Sequence, residues 1–216
     1  DFVCRIPEKS ILHLSINNSI RLTNYFGLPS RNIRVFANIG THGIDGCLSS
    51  FIGQAITSRQ LSFLIIGDLS FFYDMGAMRI KHVPKTSRIL MINNYGGGEF
   101  HYSTTLTNDP TMDLHTSAAH HTDAKGWVES IGFAYYAARN NDEYQKILLK
   151  LFDESSDKPV FVEVFSDMEI DAQNTHILEN FNRKEAVKEK IHRIAKDLFV
   201  KTVGMHNAKR MKNIFK

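Results

Sequence analysis

The sequence is poor in the residues that most often betray a fold. Its 216 residues include two cysteines, five prolines and one tryptophan. Cys4 and Cys47 make neither a disulfide framework nor a metal-ligand spacing, which excludes a cysteine-stapled scaffold and a zinc ribbon, and a reducing, cytoplasmic setting is expected. No apolar run approaches the ~20 residues of a membrane-spanning helix, and no signal-peptide pattern is present. An excess of one charge is missing too: 26 Lys and Arg stand against 23 Asp and Glu, and no nucleic-acid partner is expected. The chain opens on Asp1 rather than Met, so a processed product or a piece of a longer protein is expected.

What is present is an ordinary globular composition, 43% hydrophobic and 23% charged, enough to bury a core in one domain. The charge is unevenly placed. Residues 183–216 carry 11 Lys and Arg against 3 Asp and Glu, a net +8, which leaves −5 for the remainder. Within that tail Val187, Ile191, Ile194 and Leu198 recur at helical spacing, which predicts a basic amphipathic helix. The tail, residues 179–216, is read first as a helix docked on its own domain or on a sister subunit, with contact to anionic lipid as the alternative.

Residues 1–178 read as one domain of alternating strands and helices. Strands are predicted at Ser10–Ile16, Arg34–Ile39, Leu61–Ile66, Arg88–Ile92, Ala134–Ala138 and Pro159–Phe165. Helices are predicted from Asn18 to Phe26, Cys47 to Ser58, Ala124 to Phe133 and Asp142 to Phe152, and one between Gly67 and Ile80. Ser49, Ser50, Gly53 and Ala55 are expected to let the second of these helices lie close to the sheet. Such alternation indicates an α/β fold, a doubly wound and mostly parallel sheet with helices on both faces. Glu99 to Asp123, polar and without periodicity, reads as a long functional loop or lid. Its histidines, His101, His115, His120 and His121, match no zinc-ligand spacing.

The chemistry concentrates between Gly67 and Gly98. One apolar strand runs into Gly67-Asp68, and the next runs into Asn93-Asn94-Tyr95-Gly96-Gly97-Gly98. In open α/β sheets ligands bind beyond the carboxyl ends of the strands. An acid and an amide there offer hard oxygen ligands to magnesium, which prefers oxygen and phosphate partners. Glycines let backbone approach a diphosphate, and a helix opening near Ser70 offers free N–H groups. Either half alone reads as turn residues; the two together point to a metal-bound phosphate.

These residues resemble the C-terminal cofactor-binding domain of thiamine diphosphate-dependent enzymes, whose motif runs from Gly-Asp to a pair of Asn one strand later. Together with Asn38-x-Gly-Thr-x-Gly-Ile-Asp-Gly46 and Ile11 to Arg21, the variant is most similar to the 2-succinyl-5-enolpyruvyl-6-hydroxy-3-cyclohexene-1-carboxylate synthases of menaquinone biosynthesis, over roughly residues 5–168. The resemblance implies thiamine diphosphate and Mg2+ as cofactors, with Asp68, Asn94 and the Gly96 carbonyl as metal ligands. Gly43, Asp45, Gly67, Leu69, Ser70 and Gly97 would line the cofactor, and Ile44 would wedge it into its bent shape. Arg21 would contact a substrate carboxylate, and His42 either contacts substrate or caps its turn.

Two positions depart from the family pattern: Ile39 stands where it has an arginine, and Asn17 where it has a serine. The resemblance further implies a 2-oxo acid substrate, a pyrimidine-binding domain with an activating glutamate on the same or another chain, and a homo-dimer or tetramer. This chain alone would be inactive. A decarboxylase and carboligase is therefore expected. The alternatives are a relative acting on pyruvate or phosphonopyruvate, or a non-catalytic module that keeps the fold.

Overall fold

Six strands pair side by side in one sheet: β1 (Ile11–Leu14), β2 (Arg34–Ala37), β3 (Ser62–Gly67), β4 (Ser87–Asn93), β5 (Ala134–Ala138) and β6 (Val160–Phe165). Their order is β2-β1-β3-β4-β6-β5, and every pair is parallel. The computed structural model describes residues 1–40, 42–101 and 111–180. The chain separates into two compact units, Asp1–Thr175 and His176–Lys216, and the six-stranded sheet belongs to the first. The basic tail helix expected through Val187 to Leu198 lies outside the described residues, as do residues 102–110 of the polar loop.

Parallel strands are joined by crossovers, so helices must cover both faces of the sheet. They are α1 (Asn18–Phe26), α2 (Cys47–Ile56), α3 (Asp68–Asp74), α4 (Gly98–His101), α5 (Met112–His115), α6 (Lys125–Ser130), α7 (Asn141–Leu148) and α8 (Met168–Asn180). Because side chains alternate across a strand, β3 sends Leu64 and Ile66 to one core with Phe51, Phe71, Val128 and Phe161, and Phe63 and Ile65 to another with Phe2, Leu12, Leu148 and Val162. Burial on both faces is why the central strands read as continuous apolar runs. The architecture is the doubly wound α/β fold expected from the sequence.

Several local expectations are corrected. The segment 68–79 is not one α-helix: α3 ends at Asp74 and Met75–Arg79 continues as a 3-10 turn. Met78 is buried while Ile80 is 37% exposed, so the apolar positions there do not all face the core. Ala124–Phe133 shortens to Lys125–Ser130, because Ile131 and Gly132 turn the chain into β5. Of the four small residues of α2 expected to approach the sheet, only Ala55 is buried. Ser49, Ser50 and Gly53 face outward, and Cys47, Leu48, Phe51, Ile52 and Ala55 form the buried stripe. Ser49 instead donates through both its amide and its hydroxyl to Asp74, which ties α2 to α3. No side-chain cap forms at α1, where Asn17 at the cap position adopts φ 62°.

Candidate functional site: a buried acid and two amides at the carboxyl edge

β3 and β4 are neighbours and parallel, so their carboxyl ends leave the sheet side by side. Asp68 stands at the first position of α3 and is 2% exposed. Its Oδ1 accepts the Leu69 amide at 2.6 Å and its Oδ2 accepts the Gly96 amide at 3.0 Å, across 28 positions of sequence. The acid from one strand end is thus bonded to the glycine loop of the next. A side chain at Gly96 would overlap the Ser117 carbonyl, 2.8 Å from an ideal Cβ, so the loop closes only with glycine there. Burial pushes the Asp68 carboxyl above its usual range, against the opposing pull of the Leu69 amide, His120 and the Gly96 amide.

His120 Nε2 lies 3.3 Å from Asp68 Oδ2, close enough for a charge contact but outside hydrogen-bond geometry, and it is buried without another partner. His120 Nδ1 accepts the Thr122 amide at 3.1 Å, so in the neutral ring the proton sits on Nε2, toward the acid. His120 also places its backbone amide on the Tyr95 carbonyl at 3.0 Å, and Gly97 donates to the Ser117 carbonyl at 2.7 Å. The described end of the polar loop therefore packs directly on the Asn-Asn-Tyr-Gly turn.

The two asparagines face different carboxylates. Asn93 Nδ2 donates to Glu163 Oε1 at 2.6 Å and to the Thr122 carbonyl at 2.9 Å. Glu163, fully buried on β6, also accepts the Tyr135 hydroxyl at 2.6 Å and the Ala124 amide at 3.1 Å. Tyr135 is held firmly protonated by its burial and by that carboxylate. Asn94 Nδ2 instead donates to Asp171 Oδ2 at 3.1 Å. Burial raises the Asp171 carboxyl, and the Ser166 and Asn94 donors oppose the shift.

The glycine loop between β2 and α2 is brought to the same edge. The Ser70 hydroxyl donates to the Ile44 carbonyl at 2.5 Å and receives the Ser15 hydroxyl at 3.1 Å, which links the end of β1, the loop and α3. Ile44 and Gly43 are half-buried and Asp45 is exposed, its carbonyl accepting from Asn38 at 3.0 Å. A Cβ at Gly67 would meet nothing within 4 Å, whereas Gly97 packs against Phe100. His42 is exposed at φ 55°, and its amide closes the turn on the Ile39 carbonyl at 3.4 Å. No described contact joins His42 to the Asp68 cluster. Arg21 holds a carboxylate in a two-pronged grip, but that of Glu99, at 2.9 and 3.0 Å.

The donor set suits a hard cation. A carboxylate, an amide and a backbone carbonyl from one strand-end pair are oxygen donors of the kind magnesium takes. Among the described residues no Lys or Arg forms an ion pair with the buried Asp68, and a buried carboxylate without a cation is costly. Among the same residues no three His, Cys, Asp or Glu side chains gather as a metal cluster. The Asp68 set contributes only one such residue, and the other oxygens of its amide-and-glycine turn are neutral.

Known proteins share this segment. The chain is 41% identical over 170 residues to the 2-succinyl-5-enolpyruvyl-6-hydroxy-3-cyclohexene-1-carboxylate synthase of Bacteroides thetaiotaomicron, a match that covers 78% of this chain and 30% of the relative. The chain is homologous to one segment of these synthases. The synthase of Bacteroides fragilis is 38% identical over the same shares, and that of Christiangramia forsetii is 33% identical over 82% of this chain and 30% of its own length. The chain thus spans about 30% of the length of the relatives it matches. No protein-family model matches it. Among the described residues no helix is long and apolar enough to cross a membrane.

Sequence reasoning passed over Glu163, Asp171 and His120. Glu163 left a signal, a lone acid inside the apolar run Val160-Phe161-Val162-Glu163-Val164. Asp171 left none, because an acid in the first turns of a helix is ordinary. His120 was grouped with loop histidines whose spacing is uninformative.

Proposed function

We propose that Asp1–Thr175 is the diphosphate- and magnesium-holding part of a thiamine diphosphate-dependent enzyme of the synthase family. The observation that carries this reading is the 3.0 Å bond from the Gly96 amide to the buried Asp68 carboxylate, which joins the acid of one strand end to the amide-and-glycine turn of the next. In this reading Asp68, Asn94 and the Gly96 carbonyl hold magnesium. Gly43, Asp45, Gly67, Leu69, Ser70 and Gly97 line the diphosphate side, and Ile44 supports the bent cofactor. Once bound, thiamine diphosphate supplies the electron sink for decarboxylation of a 2-oxo acid and transfer of the remaining carbon fragment to an acceptor. A pyrimidine-binding domain with an activating glutamate, in the same or another chain, completes the site, and the assembly is a homo-dimer or tetramer.

Isothermal titration of the full-length protein with thiamine diphosphate and Mg2+ tests the assignment. Asp68→Ala and Asn94→Ala should each weaken cofactor binding sharply; wild-type affinity in both would overturn it. A second reading changes only the substrate. Ile39, 48% exposed, stands where the family pattern has arginine, and an aliphatic side chain cannot grip a carboxylate. Turnover of 2-oxoglutarate with isochorismate would support the synthase reaction, while turnover restricted to pyruvate or phosphonopyruvate would favour the smaller substrate.

A further inference from the structure

The two ends of an asparagine amide are nearly the same shape, yet one is an oxygen acceptor and the other carries two donors. A metal ligand must present the oxygen. What decides the choice at Asn94 is the group behind it, and that group is Asp171. Asp171 Oδ2 receives Asn94 Nδ2 at 3.1 Å and the Ser166 hydroxyl at 2.8 Å. With the Ser166 hydroxyl also donating to it, Oδ2 stands as an acceptor, so turning the amide over would set oxygen against oxygen. The space on the near side is kept clear by Gly98, where a Cβ would lie 2.8 Å from Asn94 Nδ2.

Asp171 is itself held to the same edge. Its amide donates to the Asp167 carbonyl at 2.9 Å, and the Ser166 amide donates to the Asn93 carbonyl at 2.9 Å, which carries the end of β6 and the start of α8 on the end of β4. We propose that Asp171 is a positioning residue: it fixes the Asn94 amide with its oxygen directed away from α8, so that a divalent cation at Asp68 meets an acceptor and not two N–H donors. The proposal rests on the Asp68–Asn94 metal reading. Partners that orient a metal ligand typically change metal affinity by about 10–100-fold when removed.

The test is Mn2+ binding to the full-length protein in the presence of thiamine diphosphate, followed by electron paramagnetic resonance of the free ion, with the metal-free melting temperature measured alongside. Asp171→Ala should weaken Mn2+ by about 10–100-fold and change the metal-free melting temperature little. Asp171→Asn keeps a carbonyl acceptor and should recover most of the affinity. If Asp68→Ala binds Mn2+ as wild type does, the metal reading itself fails. If Asp68→Ala loses binding while Asp171→Ala does not, only the positioning role is overturned.

Should Asp171→Ala fail to fold, a double-mutant cycle with Asn94→Asp decides. A carboxylate at position 94 would present oxygen at both ends and repel Asp171, so adding Asp171→Asn should strengthen Mn2+ binding in that background although it weakens binding slightly in the wild type. The same sign of effect in both backgrounds would overturn the proposal.

Discussion

The two edges of the sheet bury charge of opposite sign and treat it differently. At the amino edge Arg88, 1% exposed, gives its guanidinium to the backbone carbonyls of Lys85, Ser87 and Asp153. At the carboxyl edge Asp68 and Glu163 are just as buried but are met by amides, a hydroxyl and an asparagine. Three of the five N–H donors of Arg88 tie the start of β4 to Asp153, and its Nε is buried without a hydrogen-bond partner. Asp68, in contrast, receives the Leu69 amide on one oxygen and the Gly96 amide on the other and keeps lone pairs for a cation, whereas each Glu163 oxygen already receives two contacts. The lesson is that burial of a charge does not mark a site. The chemistry of what answers the charge does.

The largest effect expected from breaking this contrast is at Glu163. Glu163→Ala would leave Asn93 Nδ2, the Tyr135 hydroxyl and the Ala124 amide short of an acceptor in a dry core. At about 1–3 kcal/mol for each orphaned group, a loss of ~3 kcal/mol or more is expected in chemical denaturation. Next comes the amino edge. Arg88→Met keeps much of the buried stem but removes the bonds to three carbonyls; it should cost about 1–3 kcal/mol and leave thiamine diphosphate affinity unchanged. A matching loss of affinity would show that the two edges are coupled.

Between the edges, His13 on β1 stacks on Phe36 at 5.1 Å, and burial lowers its pKa despite the opposing effect of Gln54. The folded state therefore holds the neutral ring while the unfolded chain takes up a proton near pH ~6.5. Stability is fully present above that pH and is lost as pH falls toward the depressed folded value. The melting temperature should drop on acidification below pH ~6.5, and less so in His13→Phe. The smallest effect is at Arg21. Glu99→Gln removes a partly exposed ion pair, with side chains 26% and 33% accessible, and should change stability by no more than about 1 kcal/mol. If Arg21 grips a substrate carboxylate, the same change should lower KM for the 2-oxo acid by removing a competitor, and an unchanged KM would detach Arg21 from the substrate.

The sequence by itself determined the layers of this domain. Strand runs such as Phe63–Ile66 and Ile89–Ile92 are apolar throughout because both faces are covered, and that pattern survives in one dimension. It also determined where the chemistry stands, since Gly67-Asp68 and Asn93-Asn94 each end such a run. Helix ends were less legible: α3 gives way to a 3-10 turn at Met75, and Gly132 shortens α6, both decided by how the chain must re-enter the sheet. The small residues of α2 do not by themselves mark its inner face, because they fall on both sides: Ala55 is buried with Leu48 and Phe51, whereas Ser49, Ser50 and Gly53 are exposed.

What only the tertiary structure decided is who answers each polar group. Asp68 meets Gly96 across 28 positions, Asn93 meets Glu163 across 70 and Asn94 meets Asp171 across 77. Strand order makes these partners neighbours, because β6 inserts between β4 and β5. Local sequence carries no record of that insertion. Hydrogen bonds act over about 3 Å of space and not over positions of chain, so the strand-end acid and amides are legible in the sequence, but the carboxylates that hold those amides appear only after the sheet is assembled.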